Sequence, residues 1–284
     1  MHSMIQLNAA LRDPDRPGTP ISLVVRTLAF AFASVLSAVA MLSVPRQGIA
    51  GDLREIVQRI KPSVVAVGSY QSTRRPPANL RGTGFVVADG VHVITNAHVL
   101  PEELNTDRRE KLAVFIGRGE RTEFRQAKKV AVDVEHDIAV LQIPGPSLPA
   151  LALGDDWTVR EGESVAFTGF PIAPVLGLYP VTHRGIVSSI TPAAIAPPSS
   201  RLLDNRMIHR LEENYSVFQL DATAYPGNSG SPLYGTETGD VIGIVSSVFI
   251  KETKEKILQD PSGISYAIPI RYAKALLTNA GLSP

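Results

Sequence analysis

Three short segments carry the residues of this chain best suited to chemistry. In Tyr225-Pro226-Gly227-Asn228-Ser229-Gly230-Ser231-Pro232 a serine stands between glycines. A serine hydroxyl is a weak nucleophile until a base takes its proton, and the oxyanion formed on attack needs N–H donors already in place. Glycines on either side let the backbone turn tightly, so the amides of Gly227 and Ser229 can point inward while small neighbours leave Ser229 accessible. In Val93-Ile94-Thr95-Asn96-Ala97-His98-Val99-Leu100 a histidine follows directly on an apolar strand. In His136-Asp137-Ile138-Ala139-Val140-Leu141 an acid stands at the mouth of another, where burial would let it hold an imidazole in one tautomer.

Each segment alone has a plainer reading: a Gly/Pro/Asn/Ser turn, a structural histidine, a turn before a strand. Their conjunction changes the weight. They occur in the order His98, Asp137, Ser229, which is the chymotrypsin order and differs from those of subtilisin and the α/β-hydrolases.

These residues need a scaffold, and the chain supplies one of short β-branched runs separated by turn residues. The runs are 64–70, 84–88, 92–96, 113–117, 138–143, 164–169, 185–190, 217–221 and 241–248. Such a series indicates an all-β sandwich or barrel and forbids regular βαβ alternation. The Pro-rich stretch Pro144–Asp156 divides the series into two β halves. Leu53, Ile56, Val57 and Ile60 at helical spacing predict a short leading helix ended by Pro62, and 270–281 a C-terminal helix. The segment from Thr191 to Tyr215 is long for a hairpin loop and has helical character over 201–215.

Ahead of the β region, the eighteen residues Thr27–Val44 carry no charge and follow Arg12, Arg16 and Arg26. They read as a targeting segment. Signal-peptide cores run ~7–15 residues and membrane spans ~17–25, so length leaves a cleaved signal and a membrane anchor both open. Across 284 residues, 44% are hydrophobic and the net charge is +1. A core is therefore expected, and the basic stripe of a nucleic-acid binder is missing. Arg118, Arg121, Arg125, Lys128 and Lys129 are interrupted by Glu120 and Glu123 and read as a solvated strand face. There is no cysteine, which excludes a thiol nucleophile, a disulfide scaffold and thiolate metal sites. His92, His98 and His136 with Glu135 and Asp137 show no recognised ligand spacing, so no metal and no cofactor is expected.

The stretches GTGFVVADGVHVITNAHVL (82–100), HDIAVLQI, DATAYPGNSGSPL (221–233) and GISYAIPI (263–270) together resemble the trypsin-like serine proteases of the HtrA/Deg type. The resemblance runs from about Leu53 to about Ala275. It implies an all-β, chymotrypsin-like fold of two perpendicular six-stranded antiparallel barrels with the active site in the cleft between them. The domains would be a leader over 1–50, a first barrel over 51–150, and a second barrel with its terminal helix over 151–284. By the same resemblance His98 is the general base, Asp137 orients it, Ser229 attacks the peptide carbonyl, and the amides of Gly227, Asn228 and Ser229 form the oxyanion loop. Thr223 would set the base of the primary specificity pocket, and Val245, Ser246 and Ser247 its wall. The Thr191–Tyr215 insertion matches a sensor loop that touches the oxyanion loop.

The departures are specific. Ser231 stands where the family usually has glycine, the Ile-Val-Gly-Gly start of digestive trypsins is absent, and the chain stops at Pro284, so no PDZ domain is expected. The function implied is an exported, periplasmic or extracytoplasmic serine endopeptidase. It would act on unfolded or misfolded polypeptides, with anchoring through 27–44 open and the oligomeric state unread. The alternative is a catalytically silent two-barrel binding or scaffold protein. An esterase using the same triad would perform the same acyl chemistry.

Overall fold

The computed structural model describes residues 52–119, 121–173, 177–193, 215–246 and 264–284. Helix α1 (Leu53–Ile60) is capped by the Asp52 side chain, which accepts from the Arg54 amide, and buries Ile56 and Ile60. Seven strands follow: β1 (Val64–Tyr70), β2 (Ala78–Val87), β3 (His92–Thr95), β4 (Lys111–Arg118), β5 (Arg121–Gln126), β6 (Lys128–Asp133) and β7 (Ile138–Gln142). They form one antiparallel sheet in the order β5-β4-β1-β2-β3-β7-β6. After the connector come β8 (Ser164–Gly169), β9 (Val181–Pro192), β10 (Ser216–Asp221), β11 (Pro232–Gly235), β12 (Val241–Ser246) and β13 (Ile264–Pro269), then helix α2 (Ile270–Asn279). These six strands close into a barrel in the order β10-β13-β12-β11-β8-β9.

The C-terminal half is thus the six-stranded barrel expected, whereas the N-terminal half is a seven-stranded sheet rather than a second closed six-stranded ladder. The physical reason lies at Ala127. The segment that would have been one strand breaks there: β5 pairs with β4 on one side, and β6 pairs with β7 on the other. Ala127 spends its amide on the Leu112 carbonyl between the two ladders. The two ends of the sheet are therefore consecutive pieces of chain.

Strands β1, β3, β7, β8 and β12 are apolar on both faces because both faces are covered. Alternate residues go to different cores. Val65, Val67, Val86, Val93 and Val114 fill the inside of the N-terminal sheet, while Val64, Ala66, Phe85, Ile94 and Ile138 turn the other way. In the barrel, Val165, Phe167, Val245 and Ala267 point inward, and Ala166, Ile244 and Ile268 point outward into the cluster that already holds Val64 and Phe85. That shared cluster also takes Ile56 and Ile60 of α1 and Ile270, Ala273 and Leu277 of α2. It fixes the two halves against each other.

The connector is strapped to α2. The Asp156 carboxylate accepts from the backbone amide and the guanidinium of Arg271, Lys274 Nζ donates to the Gly154 carbonyl at 2.6 Å, and the Arg271 guanidinium lies 3.4 Å from the centre of the Trp157 ring. Residues 27–44, most of the Thr191–Tyr215 insertion and Ser247 lie outside the described residues. Among the described residues no helix is long and apolar enough to cross a membrane.

Candidate active site

Strand β3 ends at Thr95, and a single 3-10 turn, Ala97–Val99, carries His98. The β6–β7 turn brings Asp137 to it with φ 54°. Aspartate is among the few residues that adopt the left-handed region at modest cost. Three bonds to this one residue organise the histidine turn. The Asp137 carbonyl accepts from Ala97 N at 3.1 Å and Asn96 Nδ2 at 2.9 Å, and its Oδ1 accepts from His98 N at 2.9 Å. Oδ2 lies 2.7 Å from His98 Nδ1 and accepts from Ser246 Oγ at 3.2 Å. A carboxylate accepts only, so Nδ1 carries the proton and Nε2 presents a lone pair.

Ser229 sits in the turn before β11 and is 3% exposed. Its position is set by the carbonyls around it, four of which in succession are held. Pro226 O accepts from Ile172 N at 2.7 Å, Gly227 O from Thr83 Oγ1 at 2.7 Å, Asn228 O from Ser231 N at 3.0 Å, and Ser229 O from Thr83 N at 2.8 Å. Since a trans peptide sets N–H opposite C=O, fixing Pro226 O and Asn228 O also fixes the directions of the Gly227 and Ser229 amides. Asn228 was expected to give a third oxyanion donor, but its N–H donates to Tyr225 O at 3.0 Å. Glycine is obligatory twice. Gly227 (φ 98°) and Gly230 (φ 87°) would put a Cβ 2.4 Å from Phe170 O and 2.0 Å from Thr83 O.

The histidine turn and the serine turn meet over Gly82. A Cβ there would lie 2.6 Å from a Val99 methyl and 2.8 Å from Ser229 O. A second link runs through β12, where Val245 pairs with Gly230 and Ser231 by backbone bonds of 2.8 and 2.9 Å, and the next residue, Ser246, reaches Asp137. The structure thus brings His98, Asp137 and the Gly227–Ser229 turn to one place.

Of the expected pocket residues, Val245 is fully buried with its side chain in the barrel core, and the Ser246 hydroxyl turns to the acid. Thr223 is half-buried. It lies between Ala222 and Ala224, whose carbonyl and amide are bridged by the buried Ser265 hydroxyl at 2.6 and 2.7 Å. Sequence reasoning missed Ser265, Ser246 as a partner of the acid, and Thr83. The one signal was a small hydroxyl residue inside an otherwise apolar strand. Two other histidines form separate pairs, His92 with Asp89 and His136 with Asp133, each at 2.7 Å. Among the described residues no three His, Asp or Glu side chains are grouped to hold a metal ion.

A model of the trypsin-like peptidase domain matches residues 82–244. The chain belongs to the trypsin-like peptidase family. Within that family of serine hydrolases it is of the HtrA/Deg type. It is 31% identical over 228 residues to a probable periplasmic DegP-like serine endoprotease of Pseudomonas fluorescens, covering 80% of this chain and 40% of that one. It is 32% identical over 193 residues to a protein of the same description from Halomonas elongata, covering 68% and 33%. This chain therefore spans about two fifths or less of those relatives. The crystal structure of the serine endoprotease from Yersinia pestis superposes with a TM-score of 0.56 at 24% identity, over 81% of this chain and 66% of that one. That likeness shows the fold.

Proposed function

We propose that this trypsin-like chain is an exported serine endopeptidase whose triad is His98, Asp137 and Ser229. The observation that carries the reading is the Asp137 carboxylate held at once by the ring and the amide of His98, with Val99 and the Ser229 carbonyl packed against the same Gly82. His98 Nε2 takes the proton of Ser229 Oγ as that oxygen bonds the substrate carbonyl carbon. The Gly227 and Ser229 amides receive the oxyanion, and the imidazolium returns the proton to the amine as the C–N bond breaks. Water, activated by the same imidazole, then hydrolyses the acyl-enzyme. A protonated His98 cannot begin this cycle, so turnover needs the neutral ring.

The substrates are polypeptides in unfolded or misfolded form, as proposed from the HtrA/Deg resemblance. With neutral, β-branched Thr223 at its base, the primary pocket is shallow and takes small or medium aliphatic side chains before the scissile bond. A cleavage-site survey on a denatured protein is expected to show Val, Ala or Leu there. Mostly Lys or Arg would refute this and implicate Asp221. The relatives named periplasmic, with the uncharged stretch over 27–44, support export. The domain limits proposed are a leader to residue 50, a first half over 51–150 and a second over 151–284.

A fluorophosphonate probe tests the assignment. Labelling of the wild type that is lost in Ser229→Ala and in His98→Ala supports the peptidase. A folded wild type that never labels supports the silent scaffold.

A further inference from the structure

We infer that Thr83 is a positioning residue for the oxyanion loop, and that its hydroxyl, contributed by the N-terminal half, holds the loop of the C-terminal half in its working shape. The inference rests on the serine-peptidase reading. Thr83 is fully buried, and all its polar atoms are engaged at the boundary between the halves. Its amide donates to Ser229 O at 2.8 Å. Its carbonyl accepts from Thr95 Oγ1 at 2.7 Å, tying it to the strand that leads into His98. Its Oγ1 accepts from Phe170 N at 3.0 Å and donates to Gly227 O at 2.7 Å.

That last bond falls on the most rotatable peptide of the loop. Gly227 is in the left-handed region with no Cβ to restrict it, so the Gly227–Asn228 peptide can turn over at little steric cost. Two bonds oppose this: Thr83 Oγ1 on its carbonyl and Tyr225 O on its amide. If the peptide turns, the Asn228 N–H leaves Tyr225, and the rigid link that sets the Gly227 amide relative to the Ser229 amide is lost. The hydroxyl touches neither substrate nor nucleophile. Its effect reaches the transition state through the loop. The Thr83 N–H to Ser229 O bond is backbone only and does not depend on the side chain of Val, Ala or Ser, so the halves stay joined without the hydroxyl.

The experiment compares wild type, Thr83→Val, Thr83→Ala and Thr83→Ser on one peptide that the wild type cleaves. The readings are kcat and KM separately, thermal unfolding, and inhibition by a peptidyl boronate that forms a tetrahedral adduct on the serine. Removing a direct oxyanion donor costs about 10²–10³ in kcat. Loss of the residue that orients one is expected to cost about 10- to 100-fold in kcat, with KM little changed, boronate affinity reduced in parallel, and Thr83→Ser close to wild type. Thr83→Ala covers the case in which valine does not fold. Unchanged kcat in a folded Val or Ala variant overturns the inference while the peptidase stands. So does a Ser variant as impaired as valine, since bulk and not the hydroxyl would then matter. A wild type that cleaves nothing and does not label overturns both readings.

Discussion

At the scale of single residues, two small hydroxyl side chains shape the site. Ser231 is one. A Cβ on Gly169 would lie 2.1 Å from Ser231 Oγ, 2.8 Å from Asn228 Oδ1 and 2.9 Å from Thr83 Oγ1. The extra hydroxyl is accommodated because its neighbour is glycine. Gly169→Ala is expected to destabilise by about 1–3 kcal/mol through overpacking and to slow fluorophosphonate labelling by displacing the serine turn. Gly169→Ala with Ser231→Gly should recover part of both losses in a double-mutant cycle. Strict additivity would show that the two positions do not press on each other. Ser246 is the other. Removing its hydroxyl in Ser246→Ala takes one of three donors from the Asp137 carboxylate while leaving the β12 backbone intact. A fall in kcat of about 3- to 10-fold at unchanged thermal stability is expected, given about 0.5–1.5 kcal/mol for a hydrogen bond. Wild-type kcat would show that the two bonds from His98 suffice.

At the scale of elements, one ionisable group locks the β1–β2 hairpin. The Ser69 hydroxyl, then the Asn105 amide and the Arg74 guanidinium, hold the Glu110 carboxyl down at about 2 from 4.5. A depressed carboxyl adds stability above its unfolded value of 4.5, and that stability is lost as pH falls from there towards 2. Glu110→Gln should therefore lower the stability at neutral pH by on the order of 1 kcal/mol for a partly exposed group, and the melting temperature with it. It should also flatten the acid limb between those two values, as thermal melts across the range would show. An unchanged acid limb would assign the pH dependence to other carboxylates. The elements that the sequence made legible are those with uniform apolar runs. Helix α1 and strands β1 and β8 fall where the pattern places them, at 53–60, 64–70 and 164–169. Strands β5 and β6 were not among the runs because Arg, Glu and Lys face solvent along them, and β11 and β13 lay inside motif segments. The segments of the proposed triad were legible as motifs. Which way Val245 and Ser246 point was not, because a strand beside the site alternates its side chains between barrel core and triad, and only pairing fixes the phase.

For the whole molecule, stability and site geometry depend on the same central cluster. Leu277 of α2 is fully buried there with Phe85 and Ile94 of the N-terminal sheet and Tyr234 of the barrel. Leu277→Ala should cost about 2–5 kcal/mol and lower activity at temperatures where the wild type is still folded, since the cluster seats both halves. Denaturant unfolding followed alongside labelling tests this. Loss of stability with labelling intact up to global unfolding would mean that the halves hold their alignment through the Thr83 and Gly82 contacts alone.

The placement of α2 also orders events in time. Synthesis delivers α1 well before α2, yet Ile56 and Ile60 share one apolar cluster with Ile270, Ala273 and Leu277. That cluster stays incomplete until α2 has emerged. The straps from Asp156 and Gly154 to Arg271 and Lys274 likewise wait for it. A partly emerged chain already contains His98, Asp137 and Ser229 but lacks the helix that completes the core between the halves. If the proposed peptidase reading holds, a chain built this way is expected to stay silent while still a thread and to become competent to cut only once α2 has arrived.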